Sequence, residues 1–174
     1  MLDILSRRRS IRKYREDKIE QDKIDQLIKA ALLAPTSRNL KPWEFIVVED
    51  KDFLKQLAEC KKHGSAFLKG AALGIVVLAD PEKSDVWIED TSIASIIVHL
   101  MAESMGLGSC WIQIRERWYD ADTTAEDYVK DSLKIPDQYK VESIIAVGYP
   151  AEQKPPRSES ELPYGKVHLN AFGG

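Results

Sequence analysis

Trp87-Ile-Glu-Asp-Thr-Ser-Ile-Ala-Ser-Ile-Ile-Val-His-Leu-Met-Ala-Glu-Ser-Met105 is the longest helical pattern in the chain. Ile93, Ile96, Ile97, Leu100, Met101 and Ser104 recur at helical spacing on one side. Apolar side chains occupy most of the circumference, which places this helix in the middle of the molecule or in an interface between two copies. Gly106 or Gly108 supplies its left-handed cap. Upstream, Ala72 to Ala79 contains the run Gly74-Ile75-Val76-Val77-Leu78, which suits a central strand. Downstream, Ser109 to Ile114 reads as a short strand.

Working outward, residues 21–33 carry Ile24, Leu27, Ile28 and Ala31 on one helical face, and Pro35 ends that helix. Residues 44–48 form a strand, 51–62 a helix, 123–133 a helix opened by Thr123 or Thr124, and 141–147 a last strand. A short helix over 2–9 precedes them all. The order α-α-β-α-β-α-β-α-β lacks a regular βαβ alternation. It predicts an α+β domain, a mixed β-sheet flanked by helices on both faces. Residues 1–174 make one domain, and 151–174 form an extended tail suited to wrapping a partner subunit.

The chain carries a net charge of -3, with 44% hydrophobic and 30% charged residues. That balance suits a soluble globular protein, and the slightly acidic charge argues against nucleic acid as a partner. No stretch is long and apolar enough to span a membrane. Cys60 and Cys110 make no disulfide framework, so a reducing, cytoplasmic setting is expected. His63, His99 and His168 are scattered outside any metal-ligand spacing.

Against this acidic background, Arg7-Arg8-Arg9-Ser10-Ile11-Arg12-Lys13 concentrates five cations and a hydroxyl. Guanidinium forks of this density suit a phosphate-bearing ligand, although the same residues would also complement the C-terminal end of the 2–9 helix. Alternation over Ser10-Ile11-Arg12-Lys13-Tyr14 sends Ser10, Arg12 and Tyr14 to one side. A second polar segment, Ala34-Pro35-Thr36-Ser37-Arg38-Asn39-Leu40-Lys41-Pro42-Trp43, is held between two prolines. Its donors and acceptors suit a polyhydroxylated chain or a heteroaromatic edge, or the plain satisfaction of a helix C-cap and turn. Asp90 reads as a cap for the long helix, Cys110 as a strand residue, and His99 as a packing histidine.

Four segments together resemble the FMN-dependent nitroreductase family, as a short member. They are Arg8–Tyr14; Ala34–Phe45; Glu89-Asp90-Thr91 with Met105–Ile112; and Ile145–Pro150 followed by Lys154-Pro155-Pro156-Arg157. The resemblance implies a homodimer with FMN at the subunit interface and a domain-swapped C-terminal tail. It implies NADH or NADPH as electron donor and a small-molecule acceptor such as a nitroaromatic or quinone. By similarity, Arg8, Arg9 and Ser10 would hold the phosphate and ribityl chain, with Lys154 and Arg157 completing the clamp. Arg12 would tune the flavin. Pro35, Thr36, Ser37, Asn39 and Lys41 would come from the other subunit, and Gly108 and Gly148 would let backbone approach the cofactor. Lys41 stands where the family often has glutamine, and Ile112-Gln113-Ile114-Arg115 where many short members carry glycines. An FMN store or sensor, a reductive dehalogenase and a flavin-degrading enzyme are the competing readings. A lid is expected from 61–70 or 115–125.

Overall fold

All seven residues from Leu73 to Ala79 are buried, and this strand lies inside the sheet with a layer of helices on each face. The computed structural model describes residues 1–174. In chain order the elements are α1 (Leu2–Arg7), α2 (Gln21–Leu32), β1 (Trp43–Val48), α3 (Lys51–Ala58), β2 (Leu73–Ala79), α4 (Trp87–Ser104), β3 (Gly108–Gln113), α5 (Ala125–Leu133) and β4 (Lys140–Gly148). The sheet order is β1-β2-β4-β3, and every pair of these strands is antiparallel. Its parallel component is the bridge between Ser10 and Ser109.

Strand alternation divides the core in two. Val76, Ile112 and Ile144 pack with Leu54, Leu57 and Val129 on the face covered by α3 and α5. Ile75, Val77, Ile145 and Val147 pack with Leu27, Val98 and Ala102 on the face covered by α2 and α4. Between Val77 and Leu78 the pairing with β4 slips by one residue, so Glu142 is an extra residue on β4. Local signals place the helix ends. The Asp50 side chain accepts from the amides of Asp52 and Phe53 at the start of α3, and Thr124 accepts from Asp127 at the start of α5. Gly106, at φ +73°, caps α4, with Leu107 N donating to Ala102 O at 2.9 Å.

The packing face of α4 is not the one its largest side chains predict. Inward lie Ala94, Ser95, Val98, His99 and Ala102, whereas Ile93 and Ile96 are 38% and 41% exposed. Small side chains let this helix approach the sheet closely, which turns the bulky isoleucines outward. Residues 151–174 contain no buried position, and Leu162, Tyr164, Val167, Leu169 and Phe172 are all exposed.

Candidate functional site

The segment after α1 runs along the edge strand β3. Ile11 N donates to Ser109 O at 3.0 Å, and Ile11 packs so tightly over Gly108 that a Cβ there would lie 2.7 Å from its Cγ2. Gly148 is likewise pressed by Tyr14, whose ring would meet an added Cβ at 2.9 Å. Both glycines therefore have a packing reason inside one chain: they seat the arginine segment.

That segment meets the start of the tail. Arg9 Nη1 donates to Pro155 O, and Lys154 Nζ donates to Ser10 O. Glu152 Oε1 accepts from the amides of Arg12 and Lys13 at 2.5 and 3.2 Å. The Arg12 amide is the leading cause holding the Glu152 carboxyl below its usual value. Between these groups lies a cavity of about 450 Å³ lined by Arg7, Arg9, Gly108, Glu103, Glu152 and Lys154 among others. Arg12 is exposed, with its guanidinium carbon 5.7 Å from the centroid of the Phe67 ring. Arg157 departs from the expected clamp. Its amide donates to Ser6 O at 3.0 Å, and it lines a separate groove against Leu2 and Leu5.

Beneath the arginines, His99 Nδ1 lies 2.7 Å from Ser109 Oγ, and its ring stacks on Trp111 at 6.5 Å. Burial first, and then the Arg8 guanidinium, push the His99 imidazole down to about 4 from 6.5. The folded chain thus holds His99 neutral, whereas the unfolded chain binds a proton below 6.5. Stability contributed by this group is present above pH 6.5 and is lost as pH falls toward 4, by about 3 kcal/mol in all. Urea unfolding at pH 7 and pH 4 is expected to show that loss in the wild type and to omit it in His99→Asn. Equal losses in both proteins would refute the assignment. Burial also pushes the Cys110 thiol up, which keeps it protonated and unsuited to nucleophilic attack.

Pro35, Thr36, Ser37, Asn39 and Lys41 are elsewhere. Their loop is tied to the first turn of α4, where Asp90 Oδ1 accepts from Ser37 N at 2.9 Å and Oδ2 from Ser84 Oγ at 3.0 Å. Asp90 is thus a buried anchor for the loop, with Val86 in the capping position. Thr36 Oγ1 accepts from Lys41 N at 3.0 Å. Arg38, Asn39 and Lys41 all have φ near +50°, a conformation that non-glycine residues hold only when their surroundings impose it. At the other end of α4, Glu103 pairs with Arg7 at 3.5 Å. Asp90 and Glu103 are thirteen residues apart on one helix, about 20 Å along its axis. One chain therefore brings Arg9, Ser10, Gly108 and Lys154 together but leaves the proline-bounded loop remote.

Sequence reasoning missed Glu152, which fixes the Arg12 backbone, because an acid four residues past a strand carries no local signal. His99, read from the sequence as a packing histidine, is buried as that reading has it, but its Ser109 partner carried no signal in the sequence.

Residues 5–149 match the Nitroreductase family, and the chain belongs to that family. Its solved relatives include an FMN-dependent nitroreductase from Clostridium difficile R20291, 52% identical, with a TM-score of 0.98 over 99% of this chain and 100% of that one. An Archaeoglobus fulgidus protein named, on inference, an NADH dehydrogenase/NAD(P)H nitroreductase is 37% identical over 159 residues, covering 88% of this chain and 87% of that protein. The Bacillus subtilis FMN reductase (NAD(P)H) is 25% identical over 190 residues, 95% of this chain and 73% of that protein. No helix is long and apolar enough to cross a membrane.

Proposed function

We propose that this chain is an FMN-dependent NAD(P)H oxidoreductase that works as a homodimer and reduces nitroaromatics, quinones or similar acceptors. One observation carries the reading: the segment 8–12 is clamped between β3 and Glu152, and beside it lies a cavity of about 450 Å³ whose lining joins Arg7, Arg9 and Lys154 with Glu103 and Glu152. The donor set fits a phosphate monoester, since Arg9 and Lys154 each make a carbonyl contact that leaves further N–H donors free. Arg8, Arg9, Ser10 and Lys154 hold the phosphate and ribityl chain, and Gly108 and Gly148 form the floor that seats them. When bound, FMN supplies the hydride chemistry. Arg12 adds a positive charge that stabilises the negative charge accumulating on the reduced cofactor. Glu152 keeps the Arg12 backbone in place.

The second half of the site comes from a second copy. A loop anchored about 20 Å along α4 from the arginine end cannot serve the same cavity, but a two-fold partner can present it. Pro35, Thr36, Ser37, Asn39 and Lys41 then supply neutral donors and acceptors. Covering the exposed Ile93 and Ile96 gives such a dimer its driving force, and the apolar side chains of 151–174 pack on the other subunit, where Arg157 travels with them. Both cysteines are free and buried, in keeping with a reducing cytoplasm.

Purified protein is loaded with FMN, freed of excess cofactor and treated with NADH or NADPH. Flavin absorption that stays with the protein and bleaches rapidly is expected. A protein that emerges colourless overturns the reading, and bound flavin that does not bleach identifies a store or sensor instead.

A further inference from the structure

The segments 61–70 and 115–125, each a candidate lid on sequence alone, meet in one pocket of about 270 Å³. Its lining includes Lys61, Lys62, Arg117, Trp118, Tyr119 and Asp120. Lys61 is half-buried, and its Nζ donates to Gln113 O at 2.7 Å, at the far end of β3 from the arginine segment. Burial is the leading cause that lowers the Lys61 ammonium, and the Arg117 cation acts in the same direction.

The nearby acids are engaged elsewhere. Glu116 pairs with Arg115 at 2.7 Å. Asp120 Oδ1 accepts from the amides of Asp122 and Thr123 at 2.9 and 2.8 Å, closing its own turn. Three cations therefore face one turn-bound carboxylate, in a chain whose net charge is -3. The aromatic wall is set: Tyr119 stacks on Tyr128 at 4.4 Å, while Trp118 presents an indole that is 59% exposed. Phe67, on the 310 turn that continues from Lys61-Lys62, lies under Arg12. The segment that supplies Lys61 and Lys62 to the pocket thus also reaches, through Phe67, the residue assigned to the flavin ring.

We propose that this pocket binds the electron acceptor, and that the preferred acceptor is an aromatic ring bearing an acid group. The proposal rests on the FMN reading for its chemistry but not for its binding. Size decides between candidate anions. At about 270 Å³ the pocket is small beside the roughly 300–1,000 Å³ of drug-sized ligand sites, which suits a single ring with its acid group. The indole supplies a stacking face, and Lys62 and Arg117 supply the counter-charge.

Two measurements test it. In the first, 4-nitrobenzoate is titrated into the protein without any electron donor, reading tryptophan fluorescence. Saturable quenching is expected, weakened by salt and largely lost in Trp118→Phe. Quenching that is non-saturable, salt-independent or unchanged in Trp118→Phe overturns the site, whether or not the protein holds FMN. In the second, the FMN-loaded enzyme is assayed with 4-nitrobenzoate and 4-nitrobenzyl alcohol. The ratio of their kcat/KM values is expected to fall about tenfold in Lys62→Glu and again in Arg117→Glu, at unchanged FMN content. A ratio that stays within twofold overturns the acceptor assignment, as does a rise in KM for NADPH with no change in the ratio.

Discussion

Alanine at both Arg8 and Arg9 is expected to weaken FMN binding by about a hundred- to ten-thousandfold. A hydrogen bond from a guanidinium to a phosphate oxygen contributes about 1.5–3 kcal/mol, and each factor of ten in affinity corresponds to about 1.4 kcal/mol. Two such contacts therefore give a loss of that range. Arg9 also donates to Pro155 O, so its removal loosens the start of the tail as well as the phosphate site. Lysine at both positions separates the two effects: it keeps the charge but loses the planar fork, and is expected to recover part of the affinity. Fluorescence titration with FMN reads the result. A double alanine variant that binds within threefold of wild type would remove these residues from the site.

Deleting residues 158–174 is expected to leave a folded monomer whose FMN affinity is lower by about a hundredfold or more. No residue of the deleted segment is buried, so its loss takes nothing from either core of the chain that remains. What it removes is apolar cover: Leu162, Tyr164, Val167, Leu169 and Phe172, the last 95% exposed in a single copy. If the site is shared between copies as proposed, loss of the dimer takes the loop at Pro35–Lys41 away from the cofactor, and a few neutral hydrogen bonds of about 0.5–1.5 kcal/mol each go with it. Sedimentation gives the assembly state, and circular dichroism confirms that the monomer is folded. A truncated chain that remains dimeric would show that the interface does not depend on the tail.

Periodicity made the elements legible. The apolar run at 73–79, the spacing of Ile24, Leu27 and Ala31, and the cap at Thr124 all act through near neighbours, which is what sequence reports. The orientation of α4 was not legible, because side-chain size, not hydrophobicity alone, selected the face that meets the sheet. Gly108 and Gly148 were singled out, yet their need for smallness comes from Ile11 and Tyr14, more than ninety residues away in the chain. The arginine segment could be read as an anion site from its charge density. Glu152, which orders it, could not, since its contact with Arg12 spans 140 positions. Nor does spacing tell which copy of the chain delivers the 35–41 loop; only the length of α4 between Asp90 and Glu103 raises that question.

Mixing two defective variants tests most directly whether each site is shared between copies. One carries Arg8→Ala with Arg9→Ala. The other carries Ser37→Ala with Asn39→Gly, which removes loop side chains while glycine tolerates the φ of +57° at that position. After unfolding and refolding together, about half of the dimers are mixed, and each mixed dimer pairs one doubly damaged site with one intact site. The account predicts that tight FMN binding returns at about a quarter of all sites, although neither variant alone binds tightly. No recovery in demonstrably mixed dimers would mean that each site is built within one chain, and the shared-site account would be wrong.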